Sequence, residues 1–403
     1  MKLGFYYHKA VVIKNNDIYV PSYIGVFLDG LSEYVEELVI FFHKPKDEKE
    51  MKECDYKLKN KNIKVIVLQK RQHMFLRGFL AYKEYFKILK QLKLLDVIVI
   101  RTPTPLLNFF YKSAIKSKTK VCLYIVGDYL DNFKPIYSQN KVSIKNNLLL
   151  VYYYFFNKKL NKIINKSTNI LITNNKYILN NLKKIAKNNI YFIPSTTLTK
   201  KDFINEERKF CFDPVKLLYV GRIEESKGLD VLIKSLKILK NRGINNELNI
   251  VGWDPSGKQK TILKLKQLID DLNINNVKFH GRKKAGKELH SFYKNNDILI
   301  VPTKGNEGFP RVIWEAFSQK IPVIATNVGG IPFILEHKVH ALLVKPNNAT
   351  EIAESIISLK NDKQLLFNLI KNGYELALMN TIEKRSYEFI QILKRRVNDQ
   401  KNF

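Results

Sequence analysis

The sequence predicts an α/β protein of two doubly wound domains, and three observations carry that expectation. Short β-rich runs alternate with helix-length segments, the alternation starts afresh after a polar linker at Ser195–Pro214, and 403 residues are too many for one ordinary core. In the first half the strands are LGFYY, LVIFFH, IKVIVL, DVIVIR, KVCLYIV, NILITN and IYFIP. In the second they are KLLYVG, ELNIVG, VKFHG, DILIVP, PVIAT and ALLVKP. The expected domains are 1–198 and 199–379, with a basic helix in 380–403 that is free to pack back onto the first. One helix is well bounded: GLDVLIKSLKILKNRG places Leu232, Leu236 and Leu239 on one face and stops at Gly243.

Composition narrows the function classes. Hydrophobic residues make up 45% and aromatics 12%, enough to fill two cores, and no low-complexity tract points to disorder. Cys54, Cys122 and Cys211 are widely separated and form no CxxC pair, which fits a reducing compartment. The start, MKLGFYYHKAVVI, reads as a first strand and not as a signal peptide, so the expected location is cytoplasmic. The longest apolar run, Leu148–Phe156, has nine residues, short of the roughly 20 a spanning helix needs.

The net charge is +32, from 69 Lys+Arg against 37 Asp+Glu, and such a balance invites an anionic partner. Between Asp131 and Asp202 stand 13 lysines and no acid. Within that stretch LLLVYYYFF abuts Lys158, Lys159, Lys162 and Lys166, a combination suited to the inner face of an anionic membrane. The alternative is a core strip beneath a solvated lysine face. Nucleic acid is a rival partner supported by charge alone, and none is expected.

Two constellations carry chemistry. In YVGRIEESKGLD a strand ends at Gly221, Arg222 follows, and Lys227-Gly228 opens a helix. Free N–H groups, the helix dipole and two cations at one corner would neutralise a diphosphate; the alternative is two more surface cations. In VPTKGNEGFPRVIWEAF, Gly305, Gly308 and Pro310 shape a loop that carries Glu307, and Glu315 lies among Val312, Ile313, Trp314, Ala316 and Phe317. An acid in such surroundings needs hydroxyls or cations as partners. Two carboxylates offered to a sugar and a ribose would explain both positions, against a dipole partner at Glu307 and a structural ion pair at Glu315.

Together, Gly221-Arg222-x4-Lys227-Gly228 and Glu307-x7-Glu315 resemble the retaining family 4 glycosyltransferases of GT-B fold, over most of residues 215–350 and on through VKFHG and PVIATNVGGIP. The resemblance implies two Rossmann-like domains facing across a cleft, with the donor held by the second. It implies that Arg222 and Lys227 hold the donor diphosphate and stabilise charge on the departing nucleotide. Glu307 would bind the transferred sugar with backbone N–H contacts from Gly308 and Phe309, Glu315 would take the ribose, and Arg282 would lie by the base. The family works without a metal, and the sequence has no DxD. The family's glycine-containing loop after the first strand finds its nearest match in Ser22, Tyr23 and Gly25, where Gly25 reads equally well as an ordinary helix-start residue.

The chain departs from the family pattern after VCLYIV, where many relatives carry a sugar-binding histidine and this sequence reads Gly127-Asp128-Tyr129; Asp128 is the candidate to take over that contact, and the alternative is that Tyr129 shapes the acceptor pocket. A second departure is Phe333, Lys338 and Ala341 in GGIPFILEHKVHALLV. The expected partners are a nucleoside diphosphate sugar and a saccharide or lipid-linked saccharide acceptor, as in surface polysaccharide assembly, with no cofactor or metal. A sugar-nucleotide epimerase of related architecture remains the enzymatic rival.

Overall fold

The computed structural model describes residues 1–70, 84–127, 144–166, 169–186, 190–284, 286–305 and 308–399. The chain divides into two compact units, 1–197 with 382–403, and 198–381. Among the described residues no helix is long and apolar enough to cross a membrane.

Unit 1 begins with β1 (Lys2–Ala10), a short hairpin β2 (Val12–Lys14) and β3 (Asp17–Val20), and α1 (Ser22–Ser32). It continues through β4 (Glu37–His43), α2 (Glu48–Glu53), β5 (Tyr56–Lys57), β6 (Ile63–Leu68), α3 (Tyr85–Leu92), β7 (Val97–Thr102), α4 (Leu107–Lys116), β8 (Lys120–Ile125), α5 (Ile144–Ile164), β9 (Ile170–Thr173), α6 (Lys176–Ile185) and β10 (Ile190–Phe192). The main sheet is parallel, in the order β10-β9-β8-β7-β1-β4-β6. The chain winds from β1 out to β6 and returns to β7 on the other side of β1, which makes the β1–β7 gap a topological switch point.

The hairpin occupies residues that the sequence offers only as a long loop. Asn15 and Asn16 take positive φ, 48° and 65°, as a tight two-residue turn requires. Strands this short carry little periodicity, and β3 is anchored by pairing with the distant β5.

Both faces of the sheet are buried, so its strands read as continuous apolar runs; Val97, Ile98, Val99 and Ile100 are all inaccessible. The helices α3 to α6 cover one face through Ile88, Leu92, Phe110, Phe156, Leu160 and Leu182. The other face packs on Ile24, Leu28 and Leu31 of α1 and on Phe389, Ile390 and Leu393. Those last three come from the final helix, Ile382–Asp399, which belongs to unit 1 although unit 2 precedes it in the chain.

Unit 2 runs β11 (Val215–Arg222), α7 (Leu229–Asn241), β12 (Asn246–Trp253), α8 (Lys260–Asp271), β13 (Val277–Phe279), α9 (Lys287–Lys294), β14 (Ile298–Val301), α10 (Arg311–Ser318), β15 (Val323–Thr326), β16 (Leu342–Val344), α11 (Ala349–Asn361) and α12 (Lys363–Leu378); the final helix of unit 1 is then α13. Its sheet is parallel throughout, in the order β13-β12-β11-β14-β15-β16, so the switch point falls between β11 and β14. One face packs on α7, α8 and α11, the other on α9 and α10.

The helix anticipated at 228–243 is α7. Its Leu232, Leu236 and Leu239 are buried, and Gly243 at φ 71° closes it. Ile244 N donates to Leu239 O and Gly243 N to Lys240 O, the paired bonds of a Schellman stop.

Candidate active site at the carboxyl edge of the second sheet

In an open parallel sheet, ligands bind outside the carboxyl ends of the strands at the switch point, because two loops there diverge to opposite faces and leave backbone donors unpaired. In unit 2 those loops follow β11 and β14. Register places Gly221 beside Gly252 and Arg222 beside Trp253. A Cβ on Gly252 would come within 1.8 Å of Gly221 O, so the two backbones approach more closely than any side chain permits. The third strand end is tied in by Gly252 N, which donates to Gly281 O at 2.9 Å.

Arg222 extends from this corner with its side chain half-exposed, and its Nη2 lies 3.2 Å from Glu224 Oε1, which also accepts from Ser226 Oγ. An exposed pair of this kind is worth under about 1 kcal/mol, so a multiply charged anion competes for the guanidinium easily. Lys227 ends a short 3-10 turn, and Gly228 follows at φ 71°. Gly228 is required twice: its backbone is left-handed, and a Cβ would meet Pro302 O at 2.0 Å. The start of α7 is thereby pressed against the loop after β14. Lys304 fastens the two loops, with its N donating to Ser226 O at 2.8 Å and its Nζ to Asp230 Oδ2 at 2.7 Å. Three cations are thus carried by two loops that meet at one strand-loop-helix corner, and Lys304 is one that sequence reasoning passed over. Its signal is its place two residues beyond Pro302, at the end of β14.

Arg282 packs over the Trp253 ring, its guanidinium carbon 4.7 Å from the centroid. Trp253 is 40% exposed, unusual for so large an apolar ring, and it stands next to Arg222. A flat, partly open aromatic beside a cationic corner suits a nucleobase. Nothing in the sequence marks Trp253, because only the β11–β12 register brings it there.

Further along the loop, Gly308 and Phe309 lie against the turn after β15; a Cβ on Gly330 would be 3.0 Å from both Gly308 C and Phe309 N. The Phe309 ring is turned inward, 4.4 Å from Trp314, which leaves its backbone as the ligand-facing part. Neither the Gly308 nor the Phe309 amide donates to another described residue. Pro310 caps α10, as expected from its fixed φ. Glu307 lies outside the described residues.

Glu315 sits on the side of α10 that faces α9. Tyr293 donates its hydroxyl to Oε2 at 2.7 Å, and no hydrogen bond to Oε1 is formed among the described residues. Burial pushes the carboxyl above its ordinary range, while the Tyr293 bond, Arg311 and His290 oppose the rise. The partner an enclosed acid requires is therefore a phenol, and not a structural ion pair. Its contacts among the described residues run to α9 and not to the Arg222 corner. Of the two candidates in unit 1, Gly25 lies inside α1, its amide donates to Pro21 O, and a Cβ there would be 2.3 Å from the Tyr56 ring, a packing reason for the glycine. Asp128 lies outside the described residues.

Residues 200–376 match the family model described as glycosyl transferases group 1. That match lies within unit 2 and spans most of it. Among curated relatives, an uncharacterized glycosyltransferase of Methanocaldococcus jannaschii is 30% identical over 214 residues, 53% of this chain and 56% of the relative. The Staphylococcus aureus capsular polysaccharide biosynthesis glycosyltransferase CapM is 32% identical over 168 residues, 41% of this chain and 42% of the relative. The chain thus spans about half the length of the curated relatives it matches. The crystal structure of Anabaena HepE in complex with UDP-glucose superposes with a TM-score of 0.66 at 17% identity, covering 98% of this chain and 100% of that one. That likeness shows the fold, which is GT-B. Within the matched segment, the Arg222–Lys227–Lys304 corner, the Trp253–Arg282 stack and the Gly308–Phe309 amides all lie at the carboxyl ends of strands or in the loops that follow them.

Proposed function

We propose that the chain is a glycosyltransferase that moves a hexose from a nucleoside diphosphate sugar to an acceptor hydroxyl, with retained anomeric configuration and without a metal ion. The observation that carries this reading is the switch point of unit 2, where the loops that carry Arg222, Lys227 and Lys304 meet at a corner that suits a diphosphate. The Trp253–Arg282 stack beside it suits a nucleobase, and the Gly308 and Phe309 amides suit the oxygens of the sugar. Glu307 binds the sugar hydroxyls in this scheme and Glu315 the ribose.

In the reaction, the bond between the anomeric carbon and the diphosphate oxygen breaks as the acceptor oxygen bonds to that carbon on the same face. The acceptor proton passes to the departing phosphate oxygen. No side-chain base is required, and the cations lower the barrier by stabilising the negative charge that grows on the leaving group.

Relatives whose names assign them to capsular polysaccharide and amylovoran biosynthesis favour a cell-surface saccharide or lipid-linked saccharide as acceptor. Attachment to the inner face of an anionic membrane is part of the same reading. The helix α5 exposes Val151, Tyr154 and Phe155 beside Lys158, Lys159 and Lys162, while Phe156 and Leu160 hold it to the core.

The test is donor turnover or transfer with uridine and guanosine diphosphate sugars. Arg222→Ala and Glu307→Ala are expected to abolish it, and transfer that persists in both variants overturns the site assignment.

A further inference from the structure

Unit 1 has a switch point of its own, and the side chain near the carboxyl end of β7 there is Arg101. Its guanidinium carbon lies 4.1 Å from the centroid of the Tyr7 ring on β1 and 6.0 Å from that of Tyr124 on β8. Nε and Nη1 are buried and have no hydrogen-bond partner, and no carboxylate pairs with Arg101 among the described residues. The described groups around it supply no counter-charge. The Tyr7 hydroxyl stands 3.5 Å from that of Tyr23, and Lys9 Nζ lies 6.0 Å from the Tyr23 ring centroid. Burial pushes the Tyr7 hydroxyl up to about 12, so it remains a neutral phenol.

Arg208 in unit 2 shows what a structural arginine looks like in this chain. Its Nε is likewise buried without a partner, but its Nη1 donates to Tyr293 O at 2.8 Å and its Nη2 to Asn296 O. Among the described residues, Nε and Nη1 of Arg101 make no such bonds. Buried guanidinium nitrogens without an acceptor oppose folding, so their position at a ligand-binding edge calls for a ligand.

We infer that Arg101 anchors an anion subsite in unit 1 that takes a carboxylate or phosphate group of the acceptor. The assignment of that anion to an acceptor rests on the glycosyltransferase reading; the binding of an anion does not. The guanidinium rests against the Tyr7 ring, and its fork of N–H donors favours an oxyanion over a hydroxyl.

The test uses the full chain, with inorganic phosphate and D-glucuronate as probes and D-glucose as the uncharged control, read by calorimetry and thermal shift. Excess UDP occupies unit 2, and an Arg222→Ala background without UDP serves as a parallel arm. The wild type is expected to bind at least one anion saturably and to ignore glucose. In Arg101→Met the affinity falls about tenfold or more, the melting temperature in anion-free buffer is no lower than that of the wild type, and the anion no longer raises it. Arg101→Lys keeps part of the response, and this comparison decides the matter if the methionine variant does not fold. A response to phosphate alone assigns a phosphorylated acceptor, and to glucuronate alone an acidic sugar. No saturable binding of either anion, or equal binding in wild type and Arg101 variants, overturns the proposal. Loss of UDP binding with the Arg101-dependent response intact overturns only the donor reading.

Discussion

The Tyr293 hydroxyl donates to Glu315 Oε2 at 2.7 Å, across the two helices α9 and α10, and so orients a carboxylate that burial would otherwise leave unsatisfied. Removing the donor in Tyr293→Phe leaves an enclosed acceptor unpaired and is expected to cost about 1–3 kcal/mol, measured by denaturant unfolding. An unchanged midpoint would show that water replaces the phenol without loss.

The same carboxyl makes stability depend on pH in a definite direction. Its folded-state affinity for the proton is raised above the ordinary value of 4.5, so the folded state holds the proton more tightly than the unfolded chain does. The contribution is fully present below 4.5 and is lost as pH rises from there through the higher folded-state value. Glu315→Gln is expected to flatten that part of the melting-temperature profile. Parallel profiles for wild type and variant would contradict the raised carboxyl.

Two glycines with the same φ of 71° separate a backbone effect from a contact effect. Gly243→Ala meets nothing within 4 Å and should cost about 1–2 kcal/mol for the left-handed conformation alone. Gly228→Ala adds the collision with Pro302 O, so it should cost clearly more and also weaken nucleotide binding. Equal losses in the two variants would mean that the loop after β14 yields freely.

The chain has two tryptophans, and their environments differ sharply: Trp253 is 40% exposed and Trp314 is 1% exposed. If a nucleobase stacks at the Trp253–Arg282 pair, uridine or guanosine diphosphate should quench the exposed component of the fluorescence. In Trp253→Phe the remaining blue-shifted emission should not respond. A nucleotide-dependent signal that survives in that variant would place the base elsewhere.

Leu393 of α13 is fully buried in the same cluster as Leu28 and Leu31 of α1. Leu393→Ala is expected to destabilise unit 1 by about 2–5 kcal/mol. Hydrogen exchange should show the loss in β1 and β7 and leave β11 and β14 protected. Loosening confined to unit 2 would contradict this packing.

The main sheets were legible in the sequence because parallel strands covered on both faces appear as unbroken apolar runs, of which Val97–Ile100 and Ile298–Val301 are examples. The hairpin β2–β3 was not: its strands are very short, Ile13 is exposed, and Asn15-Asn16 was its only local mark. Arg222 and Lys227 could be found because they follow a strand and precede a helix within one short segment. Trp253 and Lys304 reach the same corner only through strand register and loop packing, and Tyr293 meets Glu315 only because two helices lie side by side. One helical tyrosine among 21 carries no mark of such a pairing. Arg101 likewise is read as a stray cation until β1 and β7 are placed together.

The excursion of the chain through 198–381 before α13 returns to unit 1 has a consequence for biosynthesis. As the polypeptide leaves the ribosome, unit 2 has all of its residues while Phe389, Ile390 and Leu393 are still unmade, so the earlier-synthesised half is the later one to finish. Until then the apolar surfaces of α1 and β1 wait without their cover, which exposes the nascent N-terminal half to aggregation during that interval.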